Sequence, residues 1–120
     1  DIIYTNYDGQ DAIGLIAQNN IDIGIESEDD LRIDAVLVAK EGRVGRHYYS
    51  DDCNNDGHTR SLITLYGMIA TYNHYEFSYD DNTGYLSRNI SYDQNLSFNP
   101  PPFFPRLSDQ YIMLSWDEIK

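Results

Sequence analysis

The chain has 120 residues and a formal charge of −12, with 20 Asp and Glu residues against 8 Lys and Arg. This length fits one domain, and a hydrophobic fraction of 41% is sufficient for its core. The negative charge argues against binding to nucleic acids or to anionic membranes, because no cluster of Lys or Arg offsets the repulsion.

The two ends of the chain say little about its cellular compartment. No apolar run approaches the roughly 20 residues of a membrane helix, and no signal peptide is visible at the start. The chain begins at Asp1 without a Met and stops abruptly at Lys120. We therefore interpret residues 1–120 as a single domain excised or processed from a longer protein. The single Cys53 cannot form an internal disulfide.

Apolar and polar residues alternate through most of the chain, which predicts strands and not helices. The alternating segments are residues 13–17, 21–25, 31–39, 63–69 and 75–79. Turn-forming pairs such as Asp8-Gly9 and Glu41-Gly42 separate them. The last segment, 109–120, is the best candidate for a helix, and we interpret it as a strand or linker. The pattern therefore predicts an all-β domain.

Three segments share two apolar residues, an alanine and a polar turn. Their alanines are Ala17, Ala39 and Ala70, spaced by 22 and then 31 residues. The polar stretch 48–59 accounts for the surplus as an inserted loop. Repeats of this length are typical of stacked coils, so we predict a short right-handed parallel β-solenoid. The alternative is a generic β-sandwich in which the alanines coincide by chance.

The solenoid hypothesis also predicts the core and the end of the stack. The expected core residues are Leu15, Ala17, Ile33, Leu37, Ala39, Leu65 and Ile69. The run 99–105 is rich in Pro and Phe and is expected to form a C-terminal cap, since prolines cannot extend a ladder. A polyproline linker or a docking peptide is the alternative for this run.

Several segments together resemble a known family. They are residues 14–20, 31–39, 65–70, 91–96, 99–105 and 111–116. This series resembles the C-terminal domain of PilX-like, type IV pilus-associated proteins of candidate-phylum and other uncultured bacteria. The resemblance spans residues 5–116, and its most specific part is Tyr92-Asp93 and Leu96 followed by the proline run.

The resemblance implies an extracellular or cell-surface location. It also implies other pilus or surface subunits as partners, or self-association. In that family a pilin-like apolar helix precedes the domain; this sequence shows no such helix, and its loop 48–59 has no counterpart there.

One motif suggests a metal. Asp52, Asn54 and Asp56, followed by Gly57, match the first half of a calcium-binding loop, in which oxygen ligands at alternate positions converge on the ion. The acid expected at position twelve is replaced by Ile63. A solvated turn rich in Asp and Asn is the alternative. Calcium is therefore the one candidate cofactor.

Other residues suggest weaker sites. His47, His58 and Cys53 could meet at a soft metal. Asn89 and Asn95 begin N-x-S sequons and are candidates for glycosylation. We find neither a nucleophile motif nor a phosphate-binding glycine motif, and we therefore expect that the domain is not an enzyme.

Carbohydrate chemistry is the main alternative. Asp22, Asp34 and Glu76 lie on predicted strands and could form a ladder of carboxylates for a polysaccharide hydrolase or lyase. A separate set of tyrosines could stack on sugars or contact a protein partner, namely Tyr66, Tyr72, Tyr75, Tyr79 and Tyr85. The sequence thus favours a non-enzymatic structural and adhesive module, with a carbohydrate-binding or carbohydrate-cleaving module as the alternative.

The predicted core can be tested at its centre. Replacing Leu37 by Asp would bury a carboxylate without a partner, so we expect the variant not to fold. Circular dichroism and thermal melting measure this outcome. A variant that melts like the unmodified protein would contradict the assignment.

Overall fold

The computed structural model describes residues 1–50 and 56–102, with only the backbone of Asp56. The six strands are Gly14–Ala17 (β1), Ile21–Ile23 (β2), Asp30–Ala39 (β3), Val44–Arg46 (β4), Thr59–Thr71 (β5) and Gly84–Tyr92 (β6). Two short 3-10 helices, Asp56–His58 and Gln94–Ser97, complete the regular structure of the described residues.

The strands form two sheets with predominantly parallel pairing. The larger sheet has four parallel strands in the order β1-β3-β5-β6. The smaller sheet pairs β2 with β4 in parallel, and a single bridge from Gly45 to Glu76 extends it. An antiparallel bridge joins Ser78 to Gly84. The domain is therefore β-rich, as the alternating sequence predicts.

The ladder between β3 and β5 carries the core. Its ten pairs run in register from Asp30 opposite Leu62 to Ala39 opposite Thr71. One face of this ladder is apolar and buried, and its buried members are Leu31, Ile33, Ala35, Leu37, Ala39, Ile63 and Leu65. Val44, Phe77 and Tyr85 close the same cluster from outside the ladder.

The predicted core residues fall into two groups. Ile33, Leu37, Ala39 and Leu65 are buried, and Ile69 packs partly against the same cluster. Leu15 instead remains 36% exposed, although it pairs with Leu37. Leu15 lies on β1, which among residues 1–50 and 56–102 pairs with a strand on one side only, so its side chain is covered less than those of β3 and β5.

The prediction of a short right-handed parallel β-solenoid is wrong. The described strands form one four-stranded sheet and one short two-stranded sheet, and not a stack of near-equal coils. Ala17 lies opposite Ala39, Ala39 opposite Thr71 and Gly67 opposite Tyr92, so successive paired positions are 22, 32 and 25 residues apart. The connections between paired strands therefore differ in length. Since only isolated bridges supplement the two sheets, the chain does not form repeated coils.

The alanine repeat fails for a specific reason. Ala70 pairs with Val38, whereas Ala39 pairs with Thr71. Because side chains alternate between the faces of a strand, this one-residue offset places Ala70 and Ala39 on opposite faces of the sheet. Ala39 is buried, while Ala17 and Ala70 are only partly buried. The three alanines thus do not share one environment.

The expected C-terminal cap is corrected as well. The side-chain amide of Asn99 donates hydrogen bonds to the carbonyl oxygens of Gly9 and Gln10, at 3.1 and 2.8 Å. Pro101 is buried. This part of the run therefore contacts an N-terminal loop and does not close the end of a coil stack. The rest of the run 99–105, with both of its phenylalanines, lies outside the described residues.

Gly67 is the tightest point of the central ladder. Its φ is 151°, and a Cβ atom at this position would collide with the carbonyl oxygen of Ala35 on the paired strand. We expect Gly67→Ala to lower the free energy of unfolding by about 2 kcal/mol or more, because the ladder must shift to admit a methyl group. Urea denaturation measures the change.

Gly24→Ala is the matched control for this test. No atom lies within 4 Å of a Cβ built at Gly24, so this variant should retain the original stability within about 0.5 kcal/mol. Equal effects of the two substitutions would show that close approach at Gly67 does not limit the fold.

Candidate functional site

Three tyrosines and two loops surround a small surface depression on the face of the large sheet opposite the core. It is lined by Tyr4, Asn6, Tyr7, Gly9, Asp11, Tyr66, Asp93 and Asn95. We call this depression the tyrosine pocket. Tyr66 comes from β5, whereas the other lining residues come from the segments before β1 and after β6. The pocket therefore exists only when both ends of the described chain fold onto the sheet.

The rings of the tyrosine pocket pack against one another. The centroid of the Tyr4 ring lies 5.7 Å from that of Tyr7 and 6.2 Å from that of Tyr66, and the Tyr7 and Tyr66 centroids are 6.3 Å apart. Their planes are inclined by 51 to 71°. Such tilted arrangements bring the positive edge of one ring to the negative face of another.

A fully buried carboxylate lies beneath these rings. Asp34 is 0% exposed and pairs with Tyr66 across the β3–β5 ladder. Its oxygens accept hydrogen bonds from the Tyr7 hydroxyl, from the Tyr4 backbone N–H at 3.3 Å and from Arg32 Nε at 2.9 Å. The buried charge is thus both hydrogen-bonded and paired, which a carboxylate needs in order to be tolerated there.

A second buried carboxylate, Asp93, fixes the other side of the pocket. It is 2% exposed and accepts hydrogen bonds from the Tyr66 hydroxyl at 3.0 Å and from the Tyr4 hydroxyl at 3.3 Å. It also caps the second 3-10 helix by accepting from the backbone N–H of Asn95 at 3.0 Å. Asp93 therefore ties the end of β6 to the N-terminal segment.

This environment keeps the tyrosines protonated. Burial raises the pKa of Tyr4 and of Tyr66, and the nearby charge of Asp93 raises both further. The pKa of Tyr7 is raised mainly by its hydrogen bond to Asp34. All three hydroxyls consequently remain hydrogen-bond donors to the carboxylates at neutral pH.

The structure separates the three carboxylates that we predicted to form a ladder. Asp22 and Glu76 both lie near Arg43, at 3.9 and 3.3 Å from its guanidinium nitrogens. Asp34 is buried elsewhere, under Tyr4 and Tyr7. The predicted carboxylate ladder is therefore absent from the described residues, and a guanidinium lies between the two acids that remain together.

The predicted tyrosine face is also divided. Tyr66 belongs to the tyrosine pocket, Tyr85 is fully buried in the core, and Tyr72 is 78% exposed. Tyr75 packs on Phe77, and the Tyr79 hydroxyl donates to the carbonyl of Arg46 at 2.6 Å. Of these five tyrosines, Tyr66 is the one that lines the tyrosine pocket.

Arg46 forms a separate buried polar centre. Its guanidinium lies 5.4 Å from the ring centroid of Tyr49 and 5.3 Å from that of Tyr85, and it donates to Ser27 Oγ at 2.6 Å and to the carbonyl of Gly57. Burial lowers its pKa, and the like charge of Arg60 adds to the effect. Hydroxyl, carbonyl and π contacts thus replace an acidic partner among the described residues.

The predicted metal and modification sites are only partly covered by the structure. Asp52, Asn54 and Cys53 lie outside the described residues, as does the side chain of Asp56, so the calcium loop that begins at Asp52 remains a prediction. Within residues 1–50 and 56–102, no three His, Cys, Asp or Glu side chains are placed to hold a metal.

Both glycosylation candidates are exposed. Asn89 lies on β6, and Asn95 lies on the second 3-10 helix at the rim of the tyrosine pocket. Their exposure is compatible with modification, which remains a prediction for both residues.

Sequence reasoning missed most of the tyrosine pocket. Tyr4 and Asp93 are 89 residues apart, and Tyr7 and Asp34 are 27 apart. No local spacing indicates such contacts. One available signal was Asp34 itself, a charged residue directly before the apolar run Ala35–Ala39 of β3.

No helix in the described part of the chain has the length and apolar character of a membrane span. A scan against protein-family models found no match, and searches of curated proteins and of solved structures found none either. The resemblance to pilus-associated proteins therefore remains a prediction.

The raised tyrosine pKa values predict a loss of stability in alkali. A group whose pKa is higher in the folded state binds its proton more tightly there, and this difference stabilises the fold. The stabilisation is complete below the pKa of the unfolded state, which is about 10 for tyrosine. It is lost as the pH rises towards the pKa of the folded state. We expect the free energy of unfolding to fall between about pH 10 and 12. Urea denaturation across this range measures it.

Tyr66→Phe should flatten this dependence on pH, because the phenylalanine ring has no proton to lose. Tyr72→Phe, at a side chain that is 78% exposed, is the control and should leave the slope unchanged. The same slope in both variants would contradict the role assigned to the pocket.

Proposed function

We propose that the domain is a non-enzymatic adhesive module of a surface protein and that it binds partner proteins by strand addition at the free edge of β1. The surface location, including association with a pilus, rests on the sequence resemblance. The mode of binding rests on the geometry of β1, which is the single observation that carries the proposal.

The backbone of β1 is hydrogen-bonded to β3 on one side, and its other side is open. The carbonyls of Ile13 and Ala17 accept hydrogen bonds from the backbone N–H groups of Val36 and Lys40, at 2.7 and 2.9 Å. Because alternate residues of a strand point their backbone groups in opposite directions, those of Gly14 and Ile16 point away from β3. Among the described residues, no strand pairs with this outer side.

Apolar side chains accompany the open backbone. Ile16 is 58% exposed and Leu15 is 36% exposed. In β-augmentation a partner segment adds to a sheet as another strand. This mode of binding uses a sheet edge with free N–H and C=O groups, and exposed aliphatic side chains favour it.

Charge favours a basic partner over a second copy of the chain. Each chain carries a formal charge of −12, so two copies repel as they approach. An extended segment that alternates apolar and basic residues complements both the aliphatic edge and the acidic surface. We therefore assign the open edge to such a segment of another protein.

The described polar groups support binding rather than catalysis. The carboxylates of Asp34 and Asp93 are occupied by tyrosine hydroxyl and backbone donors, and Glu76 lies against Arg43. These groups hold the fold together, which is compatible with a mechanical and adhesive role.

Ile16→Pro tests the proposal directly. Proline removes an N–H group that points outward, so no hydrogen bond to β3 is lost. We expect the unmodified domain to bind a peptide of four Val-Lys repeats but not one of four Val-Glu repeats, and we expect Ile16→Pro to weaken binding by about tenfold. Fluorescence anisotropy measures the affinity, and Ile16→Val, which keeps the N–H, is the control.

Two results would overturn the proposal. One is equal binding of both peptides, or of neither, by the unmodified domain. The other is self-association in analytical ultracentrifugation that Ile16→Pro abolishes, which would assign the edge to a second copy. Matching circular dichroism spectra of the variants would establish that the substitution leaves the fold intact.

A further inference from the structure

The line of backbone beside β3 does not start at β1. Ile2 forms a parallel bridge with Ile33 of β3. The backbone N–H of Asp34 donates to the carbonyl of Ile2 at 2.7 Å, and the next N–H on the same side of β3, that of Val36, donates to the carbonyl of Ile13, also at 2.7 Å. Ile2 and Ile13 therefore occupy successive hydrogen-bonding positions along β3.

A loop is inserted between these two positions. Counting back from the pair of Gly14 with Val36, Ile13 lies two positions beyond Ile2 along β3. A regular strand would need one residue to fill this gap, whereas the chain places the ten residues 3–12 there. Ile2 and β1 are thus two pieces of one edge strand.

The inserted loop, residues 3–12, crosses the face of the sheet and leaves its edge. The backbone N–H of Tyr4 already donates to the side chain of Asp34 at 3.3 Å, and the carbonyl of Gly9 accepts from the side-chain amide of Asn99 at 3.1 Å. Asn99 follows β6, which lies on the far side of β3 from β1 in the strand order. The loop therefore runs away from the open edge.

The N–H groups of this edge point outward at regular intervals. The peptide bonds here are trans, and a trans peptide directs its C=O and N–H to opposite sides. Because the carbonyls of Ile2 and Ile13 point to β3, the N–H groups of Ile3 and Gly14 point away from it. The outward N–H of Ile16 continues the series. Three donors at every second position match the spacing of a strand ladder.

We propose that Ile2, Ile3 and residues 13–17 form one composite edge and that the partner segment pairs along all of it. The composite edge spans the seven positions of β3 from Ile33 to Ala39, or about 23 Å, whereas β1 alone has four residues. This inference rests on the proposed function, because it sets the length of the partner strand assigned to β1.

Aliphatic side chains accompany the added length. Ile2 is 37% exposed and Ile3 is 56% exposed. Ile2 pairs with Ile33 on the same face of the sheet as the pair of Leu15 with Leu37, since the partners on β3 are four residues apart. A partner along the composite edge covers the side chains of both pieces, whereas a partner confined to β1 leaves Ile2 and Ile3 in water.

Charge supports the same basic partner along the whole composite edge. None of its residues is charged, and an acid precedes each piece, since Asp1 comes directly before Ile2 and Asp11 two residues before Ile13. The carboxylate of Asp1 accepts from the backbone N–H of Arg32 at 2.7 Å, which holds it beside the edge. Basic side chains complement these carboxylates, whereas a second copy of the chain would bring the same acids.

Amide hydrogen exchange in the unmodified domain tests the length directly, with the peptide of four Val-Lys repeats as the probe. We expect the amides of Ile3, Gly14 and Ile16 to exchange more slowly by about tenfold or more in the complex, because each gains a hydrogen bond. The amide of Ile2 already donates to the carbonyl of Arg32 at 3.0 Å and is the internal control, which should change less.

A second peptide keeps the length and charge of the probe but shortens its ladder. Proline, which cannot donate a hydrogen bond, replaces the two valines at one end. We expect the unmodified domain to bind this half-proline peptide about tenfold more weakly than the probe. Fluorescence anisotropy measures both affinities, and a peptide with the prolines at the other end controls for the direction of the added strand.

Ile3→Pro removes the outward donor of the added piece. We expect it to weaken the probe to the affinity of the half-proline peptides and to leave those peptides unchanged, because they pair with β1 alone. Ile3→Val keeps the N–H and is the control. Matching circular dichroism spectra would establish that both variants fold, and the exchange and peptide measurements on the unmodified domain do not depend on them.

Three outcomes would overturn the inference. They are slowed exchange at Gly14 and Ile16 without Ile3, equal affinity of the probe and the half-proline peptides, and equal weakening of all these peptides by Ile3→Pro. Failure of the proposed function is distinguishable, because the exchange of none of the three amides would then change. A ladder limited to β1 would still slow the exchange at Gly14 and Ile16.

Discussion

The in-register parallel ladder between β3 and β5 is the constraint on which the rest of the structure depends. Its register places Ile33 beside Leu65 on the buried face and Asp34 beside Tyr66 on the opposite face. The first pair begins the hydrophobic core and the second begins the tyrosine pocket. A shift of one residue would exchange the two faces, burying Asp34 in the core and exposing the leucines. Close approach at Gly67 favours the observed register, because a larger residue there would meet the backbone of Ala35.

Buried charges tie the remaining segments to this ladder. Asp34 holds the N-terminal segment through Tyr4 and Tyr7, and Asp93 joins that same segment to the end of β6. Arg46 acts in a comparable way on the smaller sheet, where it contacts Tyr85 and Ser27. Each group is desolvated and makes hydrogen bonds, although Arg46 Nε is buried without a partner among the described residues. Removing a partner of Asp34 or Asp93 would leave a buried polar group unpaired at a penalty of about 1–3 kcal/mol. These contacts favour one arrangement of loops that have little regular structure of their own.

The proposed binding surface lies at the edge of the large sheet. The open edge of β1 provides free backbone groups and the exposed side chain of Ile16. The acidic charge of the whole chain acts on this edge, since it repels a second copy and attracts a basic segment. The hypothesis of strand addition therefore combines the geometry of one strand with the charge of the whole chain.

The sequence by itself determined the strand content and much of the core, because alternation of apolar residues is a local property that directly reflects which face of a strand is buried. Ile33, Leu37, Ala39 and Leu65 were found in this way. The coil repeat failed because the local similarity around Ala70 says nothing about which residue it pairs with, and the tertiary register placed it opposite Val38. The tyrosine pocket depended on tertiary structure still more strongly. Tyr4, Asp34, Tyr66 and Asp93 are far apart in the chain, and only the closure of both ends over the sheet brings their polar groups within hydrogen-bonding distance.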